Sequence, residues 1–151
     1  MTTKRTGEPW LSPAEYGATL AGASLNFIVR DIARSLPFYT EVLGFTAHYS
    51  DADFAALELG AFKVQLHADH TWEHMPWHSR LVAGERRGLG AEVRLLGPDP
   101  DEVEARARAR GTTILLPAAD FPGHGWRECY LEDPDGYVWV AGRLLSSGDR
   151  G

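Results

Sequence analysis

The sequence predicts an α+β fold of two βαβββ modules, whose curled mixed sheets surround a cleft. Two observations carry that expectation. A pattern of one strand, one helix and three strands is written twice along the chain. The helical stretches of the two copies, Asp31 to Gly44 and Asp99 to Gly111, are nearly equal in length. An internal repeat of this size points to paired modules enclosing a ligand-sized space.

The elements follow in order. Residues 1–22 are weakly apolar, with Trp10, Leu11, Tyr16 and Leu20 widely spaced. They read either as an arm that packs on the body or on a partner subunit, or as a loosely ordered tail. Residues 24–30, SLNFIVR, are a short β-branched run and hence a strand. In DIARSLPFYTEVLG, Ile32, Leu36, Tyr39 and Leu43 recur at helical spacing, and Gly44 supplies a stop. Pro37 removes a hydrogen bond, so the regular helix is expected near Ser35, or with an irregular first turn. Strands at 45–50, 54–59 and 62–68 follow, separated by Asp51, Asp53 and Gly60.

Residues 70–88 read as a linker rich in His, Trp, Pro, Gly and Arg. The pattern then restarts with a strand at 90–96. Asp99 suits an N-cap and Pro100 the first helical position. Asp101 and Glu102 sit at the positive end of the helix dipole, three arginines lie toward its negative end, and Gly111 closes it. Strands at 112–116, 127–132 and 137–142 complete the second copy, with the turn PDG before the last. The expected organisation is an arm (1–22), one domain (23–143, modules 23–69 and 89–143) and a tail (144–151).

Composition bounds the function. The chain has 151 residues, 44% hydrophobic and 24% charged, with a formal net charge of −6. Without a basic block, neither nucleic acid nor an anionic membrane is an expected partner. Cys129 is the single cysteine, so no intrachain disulfide or Cys-based zinc site is possible, and a packed core thiol is expected. No apolar stretch approaches the roughly 18 residues of a membrane span. Nor does an apolar run follow Lys4 and Arg5, as a secretory signal requires. A cytoplasmic protein is the expectation.

Two motifs narrow the reading. VRDIARSLPFYTEVLGF and HGWRECYLEDPDGYVW together resemble signatures of the glyoxalase/bleomycin-resistance/dioxygenase (vicinal oxygen chelate) superfamily, in the right order, from about residue 23 to 143. The resemblance implies paired βαβββ units and usually a homodimer. It also implies one of two cleft chemistries. Enzymes of the superfamily hold a divalent metal through four side chains, whereas drug-binding members lack the metal and use aromatic and acidic groups.

Counting from the motifs places the four ligand positions at Ser24, Gln65, Glu92 and Val140. Only Glu92 is a good ligand for a borderline or hard ion, and Val140 cannot bind one. The expected cofactor and metal content is therefore none. A divergent site using His67, Gln65 and Glu92 is the alternative, since His67 shares a strand face with Gln65. His67, His70, His74 and His78 also have helix-like spacing, but Pro76 and the lack of an apolar stripe favour hydrogen-bonded or exposed imidazoles in a loop. Arg127 is expected in a structural salt bridge.

The aromatic stock is the other signal: five tryptophans and five tyrosines, with Glu58, Glu92 and Glu128 as nearby acids. Aromatic faces and a few acids would stack on a planar or cationic ligand. The candidate ligand-binding set is Asn26, Gln65, His67, Glu92, Trp126, Glu128 and Trp139. Three functions follow as expectations. The first is a metal-free binder of an aromatic antibiotic or metabolite. The second is a lyase, isomerase or dioxygenase with the divergent metal site. The third is a metal-free acid–base catalyst with Glu92 as base in an apolar pocket.

Overall fold

Ser12 and Glu15 cap one another. Ser12 Oγ accepts from the Glu15 N–H at 3.2 Å, and Glu15 Oε2 accepts from the Ser12 N–H at 2.7 Å. With Pro13 at the first position, this box starts a short helix, α1 (Pro13–Gly17), inside the arm. The computed structural model describes residues 3–146, so Met1 and Thr2 of the arm and residues 147–151 of the expected tail lie outside the described residues.

The first module opens with β1 (Leu25–Val29). Asp31 accepts the Arg34 N–H at 2.8 Å and caps α2 (Ile32–Pro37). The helix thus begins with a regular turn at Ile32, not near Ser35. Its irregularity comes after Pro37, as a π-helical turn over Phe38–Val42. Proline cannot donate to the preceding turn, and the widened turn takes up the mismatch. Strands β2 (Thr46–Ser50), β3 (Phe54–Leu59) and β4 (Phe62–Ala68) follow, in the sheet order β1-β4-β3-β2. β1 runs parallel to β4, and the other pairs are antiparallel. Phe27, Val29, Ile32, Tyr39, Leu57, Val64 and Leu66 form the buried core of this module.

The linker is less extended than expected. It holds a 3-10 turn over Asp69–Trp72 and a short helix, α3 (His78–Val82). Two compact units divide the chain. The first runs to Thr40 and over Gly44–Glu85, and the second contains Glu41–Leu43 and everything from Arg86 onward. Residues 70–85 therefore belong to the first unit.

In the second module β5 (Glu92–Leu96) leads to α4 (Pro100–Arg110). Asp99 accepts from the N–H groups of Asp101 (2.9 Å) and Glu102 (3.3 Å), and left-handed Gly111 ends the helix, as read from the sequence. β6 (Thr113–Phe121) is longer than the expected 112–116, because two register shifts let it stay paired with β7 (Trp126–Glu132) as far as Phe121. β8 (Val138–Leu144) completes the sheet order β5-β8-β7-β6 and extends past the expected end of the domain at residue 143. α4 lies against β7 and β8, with Val103, Ala107, Cys129, Leu131 and Trp139 buried. Burial pushes the Cys129 thiol up to about 11, which makes it a packed, inert core residue.

The DPDGY turn has a physical cause. One oxygen of Asp133, Oδ1, accepts the N–H groups of Asp135, Gly136 and Tyr137, each at 2.9 Å. Asp135 then forms a buried ion pair with Arg87 at 3.4 Å. The next residue, Gly88, has φ +67, and a Cβ there would lie 2.6 Å from the Tyr137 ring. The end of the linker is thus clasped to the turn before β8. Among the described residues no helix is long and apolar enough to cross a membrane.

Candidate functional site

Strand alternation puts Asn26, Gln65, His67, Phe54 and Lys63 on one face of the first sheet. Asn26 pairs with Gln65, and Phe54 pairs with His67. The opposite face carries Phe27, Val64 and Leu66, which are buried in the module's core. The arm settles on the polar–aromatic face. Trp10 stacks on Tyr49 with centroids 5.5 Å apart, Tyr16 meets Phe54 edge-on at 5.0 Å, and Lys63 Nζ donates to the Thr19 carbonyl at 3.0 Å. Of the two readings of residues 1–22, the arm packed on the body is the one seen for the described residues.

Between arm and sheet lies a cavity of about 570 Å³, all of it within the first unit. Leu11, Tyr16 and Leu20 of the arm roof it, while Phe54, Gln65 and His67 of the sheet floor it. The 3-10 turn adds His70, Thr71 and Trp72 as a side wall. The cavity's volume lies within the range of small-molecule pockets, and its walls are both aromatic and polar.

Two imidazoles in this pocket have defined roles. His67 Nδ1 lies 2.6 Å from Asn26 Oδ1. An amide oxygen only accepts, so Nδ1 carries the proton and Nε2 is left with a lone pair. Burial pushes the His67 pKa down to about 4, so the ring is neutral at physiological pH. It sits between the Phe54 ring (4.8 Å) and the edge of Trp72 (5.4 Å). His70 donates through Nε2 to Asp53 Oδ1 at 2.8 Å, and the same oxygen accepts the Arg5 N–H at 2.7 Å. Burial acts to raise the Asp53 pKa, but these hydrogen bonds outweigh it and hold the carboxyl below its usual range. Asp53 therefore ties the start of the arm to the wall of the pocket.

The second module gathers a different set. Glu92 on β5 and Trp126 and Glu128 on β7 share a face with Val138, Val140 and Gly142 of β8. A Cβ on Gly142 would meet Trp126 and Glu128 at 3.4 Å, so both side chains lean over this glycine. Glu128 is fully buried and accepts from Tyr130 Oη at 2.9 Å, with His124 Nε2 at 3.1 Å and Arg94 Nη2 against its other oxygen. Trp139 points the other way. It pairs with Leu131 and Val93 and is fully buried, so it belongs to the core and not to the face that carries Glu128.

The sequence matches the description of the Glyoxalase/Bleomycin resistance protein/Dioxygenase superfamily over residues 23–141. The chain belongs to that superfamily. Solved structures share its fold. A glyoxalase/bleomycin resistance protein/dioxygenase from Nocardioides is 24% identical, with 91% of this chain and 95% of that one covered and a TM-score of 0.62. A family enzyme from Burkholderia phytofirmans PsJN is 23% identical, with coverages of 81% and 98% and a TM-score of 0.66. A glyoxalase-related enzyme from Fulvimarina pelagi is 21% identical, with coverages of 82% and 88% and a TM-score of 0.65. Comparison with curated proteins gives no match.

The divalent ion of the superfamily's enzymes does not fit the residues at its ligand positions. Ser24 Oγ accepts from Gln65 Nε2 at 3.1 Å, so these two neutral groups satisfy each other. Val140 is apolar and buried. Glu92 is exposed and bound by Arg94 at 2.8 Å, so it is not a base in an apolar pocket. Among the described residues, no three His, Cys, Asp or Glu side chains are gathered for a metal. Arg127 bonds Asp101 (2.7 and 2.5 Å) and Asp120 (2.8 Å), a salt-bridge role as expected.

The candidate set drawn from the sequence did not include Phe54, His70 or Trp72, which line this cavity, and it left open whether the arm covers a cleft. A signal for the arm was present in the capping box S-P-A-E. The helix-like spacing of the linker histidines had no apolar stripe beside it to assign them a side.

Proposed function

We propose that this protein is a metal-independent small-molecule binder that holds a planar aromatic ligand in the arm-roofed pocket of its first module. The observation that carries this reading is the cavity of about 570 Å³ floored by Phe54, Gln65 and His67 and walled by Trp72. Three features support it. Phe54 and Trp72 pack 4.8 and 5.4 Å from the neutral His67 ring and form a continuous aromatic lining. The arm shields one side of the ligand from water. The donor set at the superfamily's ligand positions does not favour a divalent ion.

Isothermal titration of the full chain against fused-ring aromatic antibiotics and metabolites tests the proposal, with and without chelator. A dissociation constant in the micromolar range or below, unchanged by chelator, with the ligand recovered intact, is the expected result. Chemical turnover of the bound compound, or binding that disappears with chelator, would overturn it.

A further inference from the structure

Two buried polar atoms in the pocket wall are left without hydrogen-bond partners among the described residues: Nδ1 of His70 and Nε1 of Trp72. Both residues line the cavity, and the His70 side chain is only 9% exposed. Folded proteins rarely leave a buried donor or acceptor unmet, because its desolvation is not repaid. A group that enters the cavity is the natural partner for both.

Their chemistry is fixed by what they already do. The Asp53 carboxylate only accepts, so His70 carries a proton on Nε2, and in the neutral ring Nδ1 is an acceptor. The Trp72 indole N–H is a donor and nothing else. His67 adds a second imidazole acceptor through Nε2, since its Nδ1–H is engaged by Asn26. The pocket therefore asks for a ligand that brings both a donor and an acceptor. Aromatic hydrocarbons bring neither. An aromatic carboxylate brings acceptors alone, leaves His70 Nδ1 unmet and places its charge near Asp53.

We propose that the pocket selects a planar heteroaromatic with an N–H donor beside a carbonyl acceptor, that is, a cyclic amide of the pyridone or quinolone type. The ligand N–H is given to His70 Nδ1, and its carbonyl receives the Trp72 Nε1–H. This rests on the reading of the cavity as an aromatic-ligand site and adds the polar edge that the ligand must carry.

Three probes separate the two claims by calorimetry on the full chain: carbostyril, N-methylcarbostyril and naphthoate. Carbostyril is expected to bind about tenfold more tightly than its N-methyl analogue, which keeps the carbonyl and lacks the donor. In His70→Phe that ratio is expected to fall to about one. In Trp72→Phe both cyclic amides weaken while the ratio persists, because the carbonyl is common to them. Equal affinity for all three probes, or a preference for naphthoate, overturns the donor–acceptor assignment and leaves the aromatic-ligand reading standing. Failure of all three to bind overturns both. If His70→Phe does not fold, Trp72→Phe decides alone, since unchanged carbostyril affinity in that variant overturns the assignment.

Discussion

His67 Nδ1 and Asn26 Oδ1 lie 2.6 Å apart across the parallel pair β1 and β4, and this contact fixes which nitrogen of the neutral ring carries the proton. Burial keeps the imidazole neutral down to about pH 4.

The pH consequence has a definite sign. An unfolded histidine takes up its proton near pH 6.5, whereas His67 does so near pH 4 in the folded protein. Between those values the unfolded state binds more protons, so stability is lost as pH falls from about 6.5 to about 4. The full effect is at most about 3 kcal/mol, reduced by partial solvent contact. Urea unfolding of wild type and His67→Gln across this range should show a shallower pH slope in the variant. Parallel slopes would mean that the ring titrates normally, which a proton NMR titration of its imidazole would show directly.

Trp10 anchors the arm through its stack on Tyr49, 5.5 Å between centroids and 24° between planes. Trp10→Ala should cost about 1 kcal/mol in unfolding free energy. It should also speed limited proteolysis within the first 22 residues and weaken ligand binding. An arm that stays protected in the variant would show that Arg5 and Lys63 suffice to hold it.

Arg87 and Asp135 form an ion pair whose side chains are 1% and 0% exposed. Removing one partner strands a buried charge, so Arg87→Met should destabilise the protein by about 3–5 kcal/mol. The double variant Arg87→Met with Asp135→Asn should recover part of that loss. Thermal unfolding of the three proteins reads this out, and a small effect of Arg87→Met would mean that Gly88 and the Asp133 turn hold the linker without the ion pair.

Cys129 is fully buried, and burial raises its thiol to about 11. At pH 8 it should resist a disulfide reagent in the native state and react at once in denaturant. Rapid labelling of folded protein would place the second sheet's core in frequent contact with solvent.

Local signals were readable directly from the chain. Asp99, Pro100 and Gly111 bounded α4 because caps act within one turn of the backbone. The DPDGY turn was readable for the same reason, since Asp133 reaches only the next few N–H groups. The weak donor set at Ser24, Gln65 and Val140 was equally visible, because donor strength is a property of residue type.

Tertiary packing decided the rest. Trp126 and Trp139 look alike in sequence, yet one leans over Gly142 and the other is sealed in the core. Which face of a strand is buried depends on what packs there from elsewhere, and α4 lies against that sheet. The pocket is the clearest case. Arg5 meets Asp53 across 48 residues and Lys63 meets Thr19 across 44. Contacts of that separation leave no periodicity in the chain. They exist because an amphipathic arm gains more by covering an aromatic sheet face than by staying in water.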